Sequence, residues 1–277
     1  MVSQEQRRRQ LAREKFLRQQ QRRTTARRKA RMRNAAIASV LGVILIGSVA
    51  LYTTGVVLGD DDDKTNASAE VTPSASATSK APDPCDKPAE GKAKTQTWKK
   101  EPGLSVDKSA KYTMKLETTC GDIDIALKAK AAPHTVNSFD FLAGKGYFDH
   151  TKCHRLTTEG IYVLQCGDPT AQGNGGPGYN IPDENLKDTS LKDNMYPAGT
   201  VAMANTGQPD SGGSQFFLVY QNSQLPPSYT PFGTVSEEGM AVLKKIAAAG
   251  AQPADPTTGN TAPNATVVIN KATVTKS

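Results

Sequence analysis

Apolar and polar positions alternate along much of the second half of the chain. The alternation across residues 112–117 and again across 123–127, on either side of a Gly121-Asp122 turn, is typical of two half-buried strands in a hairpin. Further hairpins are predicted across 152–167 and 201–220, with a closing strand across 265–275. This half of the chain is therefore predicted to be rich in β-structure.

Two segments between these strands carry helix signals. Pro133 suits the first turn of a helix that ends near Gly144, and a second helix is predicted over Ser236–Ala249, with Gly250 at its end. Many strands with two separated helices indicate an all-β barrel that has a helix over each opening.

The first hundred residues have a different composition. Residues 1–33 contain 13 Lys and Arg against two Glu, which leaves 21 basic and 25 acidic residues for the rest of the chain. The basic balance therefore belongs to a tail (1–34), and the sequence predicts no nucleic-acid-binding face on the folded domain. The tail is interpreted as an orientation signal lying against anionic lipid, the alternative being an RNA-binding or other acidic-partner-binding segment.

Residues 35–59 contain no charged side chain and are long enough to span a bilayer. The run is longer than the apolar region of a cleaved signal peptide, so an uncleaved transmembrane helix is predicted in preference to a cleaved signal. The basic side stays in the cytoplasm. A single-pass protein of the cell membrane is expected, with its N-terminus cytoplasmic and its folded domain extracytoplasmic.

Residues 60–106 are predicted to be a low-complexity linker. Its part Thr65–Pro84 is dominated by Ser, Thr, Ala and Pro, which cannot bury enough apolar surface to fold. Trp98, the only tryptophan, is a candidate for docking this segment onto the domain. The folded domain is expected to cover residues 107–277.

The segment Val201–Tyr220 has two strand-like ends joined by a loop of Gly, Pro, Asp and Ser. Small and aromatic side chains stand beside amide side chains there, as a groove for an extended peptide requires. The string MANTG followed by SGGSQFF resembles the signature of the cyclophilins, the peptidyl-prolyl cis/trans isomerases. His154-Arg155, the run Leu164–Pro169, Gly175–Tyr179 and Pro231-Phe232-Gly233 extend the resemblance across roughly residues 110–277. It implies a mainly β fold, a closed eight-stranded antiparallel barrel capped by two α-helices.

The resemblance also implies which residues act. Arg155 matches the catalytic arginine of the family, and Gln165 and Asn205 complete the predicted catalytic set. Gln165, Asn205 and Gln215 would bond to the peptide backbone. The remaining residues assigned to substrate binding, most of them in an apolar proline site or along the groove, are Tyr162, Val163, Ala204, Thr206, Phe217, Leu225 and Tyr229.

Several positions depart from the family pattern. Cys153 stands where Phe usually precedes His-Arg, two extra residues precede Gln165, and Gln224 aligns with the family's frequent Trp. Because Gln224 has no indole, weak or no cyclosporin binding is expected.

Other kinds of site are disfavoured. Residues 173–178 match G-x-G-x-x-G literally, but Pro177 and Pro182 exclude the helix that a dinucleotide site needs. The three histidines have no metal-binding spacing and Ser214 has no nucleophile elbow. The sequence therefore predicts no metal and no cofactor.

The four cysteines allow three disulfide pairings. Cys153 and Cys166 lie on opposite arms of one predicted hairpin and are predicted to pair, which leaves Cys85 for Cys120. The alternative is four free, buried thiols. The expected function is isomerisation of X-Pro bonds in exported or envelope proteins to assist their folding. The alternative is a non-catalytic chaperone or scaffold module that binds proline-containing peptides.

Overall fold

The structure is a computed structural model that describes residues 82–277. The basic tail, the apolar segment 35–59 and residues 60–81 of the predicted linker lie outside the described residues. Within the described part, neither α-helix is long and apolar enough to cross a membrane.

The described residues form two α-helices and eleven strands. The helices are α1 Pro133–Gly144 and α2 Glu237–Ala248, which confirms both predicted helices. The strands are β1 Tyr112–Thr118, β2 Gly121–Leu127, β3 Thr151–Lys152, β4 Arg155–Leu156, β5 Val163–Cys166, β6 Met195–Tyr196, β7 Thr200–Met203, β8 Phe216–Val219, β9 Ser223–Gln224, β10 Pro231–Val235 and β11 Val268–Lys276.

Nine strands form one antiparallel sheet in the order β3-β11-β1-β2-β10-β7-β8-β5-β4, and β6 pairs with β9 separately. The sheet curls into a half-barrel, and its end strands β3 and β4 are separated in the chain only by Cys153 and His154. These two end strands are not hydrogen-bonded to each other, so no rung of hydrogen bonds between them closes the ring. The prediction of a closed eight-stranded barrel is therefore wrong in both closure and strand number.

Alternation along the strands builds the main core inside the curl. Met114, Leu116, Ile123 and Ile125 are all buried there, while their sequence neighbours turn outward. Phe139 of α1 brings the helix into the same core through ring contacts with Phe148, Phe216 and Phe232.

Each helix begins at a satisfied N-terminus. Pro133 opens α1 without a capping side chain at the preceding residue, and the Glu184 carboxylate accepts hydrogen bonds from the backbone N–H groups of His134 and Thr135 at 3.0 and 2.9 Å. Ser236 caps α2, because its Oγ accepts from the Gly239 N–H at 3.0 Å. The α1 cap thus depends on a loop 50 residues further along the chain.

Residues 82–106, here named the strap, contain no helix or strand but lie on the domain. The Asp86 N–H donates to the Thr119 carbonyl at 2.8 Å, and the Ala89 N–H donates to Asn270 Oδ1 at 3.0 Å. Trp98 packs edge-on against Phe141 with ring centroids 5.2 Å apart. This described end of the predicted linker is therefore part of the folded unit.

Two disulfides are present, Cys153–Cys166 and Cys85–Cys120, and the described residues contain no free cysteine. This is the pairing expected from the sequence. One bridge joins the strap to the end of β1, and the other links the β3–β4 junction to β5. Closing such loops restricts the unfolded chain, and this stabilises the folded state relative to it.

Candidate active site

The candidate site lies on the outer face of the strands β5, β7 and β8. Along these strands, one set of side chains enters the main core and the alternate set packs into a second apolar cluster on the opposite face. The buried members of the second cluster are Val163, Tyr196, Ala202, Phe217, Val219 and Leu225. The ring of Phe216 therefore lies in the main core, and the ring of Phe217 lies in the second cluster, on the side of the site.

Arg155 stands at the edge of this cluster on β4, directly opposite Gln165 in the antiparallel register. Its Nη1 donates to Gln165 Oε1 at 3.1 Å. Burial lowers the pKa of the Arg155 guanidinium from its ordinary value, while the nearby Tyr229 acts in the opposite direction. A guanidinium nevertheless stays charged at physiological pH, so the site contains a half-buried permanent cation.

A relay of amide hydrogen bonds continues from this cation across the sheet. Gln165 Nε2 donates to Gln215 Oε1 at 2.9 Å, and Gln215 Nε2 donates to the Gly175 carbonyl at 2.9 Å. Each side-chain amide has two N–H donors, so both glutamines keep one for a ligand. The relay fixes the orientation of three polar side chains that converge on one surface.

A cavity of about 120 Å³ lies beside the guanidinium. Its walls are Arg155, Ile161, Val163, Gln165, Ala204, Asn205, Phe217, Leu225 and Tyr229. Apolar side chains form one side and the charged and amide groups form the other. Such a space accepts a small apolar ring whose polar flank faces a cation.

A larger cavity of about 370 Å³ shares three wall residues with the first, namely Gln165, Ala204 and Asn205. Its other walls are the glycine-rich segment 173–180, together with Thr206, Ser211 and residues 213–215. The two cavities are adjacent, so a chain whose ring occupied the smaller one would extend into the larger one.

The glycine-rich segment that resembles a dinucleotide loop binds a carboxylate of its own chain. Asp168 Oδ2 accepts from the backbone N–H groups of Gly173, Asn174 and Gly175 at 2.7, 3.0 and 3.0 Å. Burial acts to raise the pKa of Asp168, but the hydrogen bonds from Gly175, Thr170 and Gly173 outweigh it and lower the pKa below its ordinary value. A β-carbon at Gly175 would collide with this carboxylate. The glycines therefore serve an internal anion and shape the wall of the larger cavity.

The structure brings together most of the site residues expected from the sequence. Arg155, Val163, Gln165, Ala204, Asn205, Phe217, Leu225 and Tyr229 line the smaller cavity, and Thr206 and Gln215 line the larger one. The Asn205 side chain is already engaged, because its Nδ2 donates to the Ser228 carbonyl at 2.7 Å and its Oδ1 accepts from the Gly207 N–H at 3.0 Å. This amide therefore shapes the loop at the junction of the two cavities.

Tyr162 lies elsewhere, since it lines neither cavity and packs edge-on against Tyr220 with ring centroids 5.9 Å apart. Ile161 occupies the expected place in the smaller cavity. Because two extra residues precede Gln165, aligning this segment with the family motif does not identify Ile161 as a wall residue. The period of two along Ile161, Val163 and Gln165 is the signal in the sequence that assigns all three to one face.

Comparison with known proteins places this site in a family. Residues 113–274 match the family described as cyclophilin type peptidyl-prolyl cis-trans isomerase/CLD. The chain belongs to this family, and the match covers the whole sheet from β1 to β11 apart from Tyr112 and the last two residues of β11.

Several similar proteins support the assignment to this family. A probable peptidyl-prolyl cis-trans isomerase B of Mycobacterium leprae (strain TN) is 50% identical over 149 residues, which cover 51% of this chain and 50% of that protein. The probable isomerase B of Mycobacterium tuberculosis (strain ATCC 25618 / H37Rv) is 47% identical over 149 residues, which cover 51% of this chain and 48% of the relative. The chain thus spans about half the length of these relatives. A Helicobacter pylori peptidyl-prolyl cis-trans isomerase is 37% identical over 133 residues, covering 47% of this chain and 77% of the relative.

Among solved structures, a Cryptosporidium parvum cyclophilin type peptidyl-prolyl cis-trans isomerase is similar, with a TM-score of 0.47 and 26% sequence identity. The likeness covers 60% of this chain and 98% of that chain. The same protein in the presence of the dipeptide Ala-Pro gives a TM-score of 0.46 at 27% identity, over 59% and 98% of the two chains.

Proposed function

We propose that this protein catalyses the cis/trans isomerisation of X-Pro peptide bonds. The observation that carries the proposal is the Arg155 guanidinium beside the small apolar cavity of Val163, Phe217 and Leu225. A proline ring suits that cavity, and its ring nitrogen would then face the cation.

The reaction neither makes nor breaks a covalent bond. Rotation about a peptide bond is opposed by a barrier of about 18–20 kcal/mol, because the nitrogen lone pair is delocalised into the carbonyl. As the bond twists, the lone pair returns to the nitrogen and becomes able to accept a hydrogen bond. Arg155 can donate to it in the twisted state and not in the planar state, which is the differential binding that lowers a barrier.

The size of this effect can be bounded. A hydrogen bond from a charged donor contributes about 1.5–3 kcal/mol, and this corresponds to about ten- to a hundredfold in rate. The remaining acceleration has to come from holding the peptide on both sides of the twisting bond. The free amide N–H groups of Gln165 and Gln215 and the apolar walls are placed to do this.

The proposed substrates are proline-containing segments of exported or envelope proteins, whose folding the enzyme would assist. The apolar segment 35–59 supports this proposal, together with the basic tail before it. Both disulfides also suit an oxidising, extracytoplasmic compartment. A single-pass anchor with the domain outside the cytoplasm is proposed on the same grounds.

The test is an isomerisation assay on a short X-Pro peptide with the full chain in mild detergent. Wild type is compared with Arg155→Ala, with Arg155→Lys, and with Lys152→Ala as the control for loss of an exposed cation nearby on β3. We expect Arg155→Ala to lower kcat/KM at least tenfold, Arg155→Lys to restore little of it, and Lys152→Ala to match wild type. Equal rates in wild type and Arg155→Ala would favour the non-catalytic binding module instead.

Cyclosporin is proposed to bind weakly or not at all, because Gln224 supplies no indole and lies on β9 outside the smaller cavity. A fluorescence titration that gave nanomolar affinity would contradict this.

A further inference from the structure

The Cys153–Cys166 disulfide lies next to both members of the Arg155–Gln165 pair. Cys153 precedes Arg155 by two residues, and Cys166 directly follows Gln165. A small closed ring of bonds therefore results. It consists of the disulfide, the two short backbone segments and the hydrogen bond from Arg155 Nη1 to Gln165 Oε1. Any change in the separation of the two backbones alters that hydrogen bond directly.

The strand that carries Arg155 has few other constraints. β4 contains only Arg155 and Leu156, forms the end of the sheet, and pairs on one side with β5. Because β4 is so short, its register depends on the buried Leu156 side chain and a few hydrogen bonds, and a slip by one residue would turn the Arg155 side chain to the opposite face. Such a slip would remove the cation from the site.

The disulfide opposes this slip at a local irregularity. Continuing the Arg155–Gln165 and Leu156–Leu164 register would place His154 opposite Cys166. The bridge instead joins Cys153 to Cys166, and the His154 N–H donates to the Gln165 carbonyl at 3.1 Å. The chain is thus bulged at His154, the extra residue between these two pairs, and the covalent bond fixes the bulge in place.

The intervening side chain gives no comparable anchor. His154 is buried, and neither of its ring nitrogens has a hydrogen-bond partner among the described residues. Leu156 adds apolar burial and a hydrogen bond from its N–H to the Thr261 carbonyl at 2.7 Å. These contacts hold the far end of β4. The near end is held by the disulfide together with the hydrogen bonds from the Cys153 N–H to the Val267 carbonyl at 3.0 Å and from the His154 N–H to the Gln165 carbonyl.

We propose that Cys153 and Cys166 are positioning residues for catalysis, and that their disulfide keeps the Arg155 guanidinium opposite Gln165 and over the bound prolyl bond. This inference rests on the proposed isomerase function. The bridge Cys85–Cys120 joins the strap to the β1–β2 turn, and neither of its cysteines is a chain neighbour of a residue that lines either cavity, so it has no such role.

The test compares two chains that each lack one bridge, Cys153→Ala/Cys166→Ala and Cys85→Ala/Cys120→Ala, as full-length protein. Both changes remove one cross-link and are expected to lower Tm. Only the first is expected to lower kcat, by about tenfold, with KM within about twofold of wild type. A purely stabilising role would leave kcat unchanged in both variants at temperatures where each is folded, and that result would overturn the proposal.

Reduction of the folded wild type gives the same comparison without substitutions, should the first variant not fold. Activity is followed while differential alkylation reports which bridge has opened. Loss of kcat is expected to follow labelling of Cys153 and Cys166 and not of Cys85 and Cys120. Full activity with Cys153 and Cys166 labelled would overturn the proposal.

A structural readout separates this inference from the isomerase proposal. The guanidinium NMR signal of Arg155, assigned with Arg155→Lys, is expected to be resolved in wild type and in the Cys85→Ala/Cys120→Ala chain and to average out in the Cys153→Ala/Cys166→Ala chain. An inactive wild type would defeat the proposed function, and the NMR comparison would still decide the positioning role. An unchanged signal in the Cys153→Ala/Cys166→Ala chain would count against it.

Discussion

Ile161 and Tyr162 are neighbours in the chain with different surroundings. Ile161 lines the smaller cavity beside Val163, whereas Tyr162 packs on Tyr220 outside both cavities. A motif comparison selects the aromatic residue as the pocket wall. Side chains two residues apart on a strand lie on the same face, so Ile161 and not Tyr162 shares the face of Val163.

This difference gives a prediction with an internal control. Ile161→Ala removes part of the cavity wall and should weaken peptide binding by about 1–2 kcal/mol, a five- to thirtyfold rise in KM. Tyr162→Ala should leave KM within about twofold. Both are measured in the X-Pro isomerisation assay. The reverse order of the two effects would show that the tyrosine, as first expected, forms the pocket.

Asp168 gives a second prediction, about pH. Because its folded pKa lies below its ordinary value of 3.8, its contribution to stability is complete above that value and is lost as the pH falls through the folded pKa. Asp168→Asn removes the charge that the loop N–H groups bind. It should lower the free energy of unfolding at pH 7 by about 1–3 kcal/mol and flatten the fall in stability between about pH 5 and about pH 2.

Urea unfolding across this pH range checks the prediction. Asp86→Asn, at an exposed position of the strap, is the control and should change the free energy of unfolding by no more than about 0.5 kcal/mol. Equal pH profiles for wild type and Asp168→Asn would show that folding does not lower the pKa of this carboxylate.

The strap is the element whose sequence misrepresents its structure. Its composition indicates a tether, yet Trp98 packs on Phe141 and Tyr147, and its N–H donates to the Pro177 carbonyl at 2.8 Å. Pro177 belongs to the wall of the larger cavity. A single large aromatic ring, one disulfide and a set of backbone hydrogen bonds hold a segment that forms no regular structure.

Trp98→Ala should therefore lower the free energy of unfolding by about 1–3 kcal/mol, through loss of partly buried aromatic area. Leu104→Ala is the matched control in the same strap, because the Leu104 side chain is 47% exposed and its removal should cost no more than about 0.5 kcal/mol. Far-UV circular dichroism in urea reports both. Equal small losses would mean that the strap is not docked through Trp98 in solution.

Local signals were sufficient for the helices and hairpins, and for much of the site. Pro133 and Ser236 begin their helices by local rules, and the motif around Gln215 places Phe217 beside Arg155. The open edge of the sheet could not be predicted in this way. It depends on how β3 and β4, two residues each, pair with β11 and β5, and so short a segment carries no periodicity. The cap of α1 by Glu184 is equally invisible locally, because the donor and acceptor are about 50 residues apart.

At the scale of the whole molecule, charge and hydropathy separate three parts. Residues 1–33 carry the excess positive charge, residues 35–59 carry none, and the remainder is net acidic. An arrangement with the tail inside and the domain outside satisfies both the charge asymmetry and the disulfides.

The proposed single-pass topology predicts the outcome of an experiment in spheroplasts of bacteria that express the chain. External protease should remove the folded domain and leave an epitope at the N-terminus protected. A maleimide reagent should label none of the four cysteines in the denatured chain before reduction and all four after it. A protected domain, or four labelled thiols without reduction, would contradict the extracytoplasmic placement.

In the proposed mechanism, the Arg155 guanidinium faces the nitrogen of a bound prolyl bond and stabilises its twisted state. Two-dimensional exchange NMR on an X-Pro peptide tests this most directly, since it measures cis/trans exchange of the peptide while it is bound. Arg155→Ala should retain peptide affinity within a fewfold of wild type and lose at least tenfold in the exchange rate. An unchanged exchange rate at equal occupancy would contradict the account.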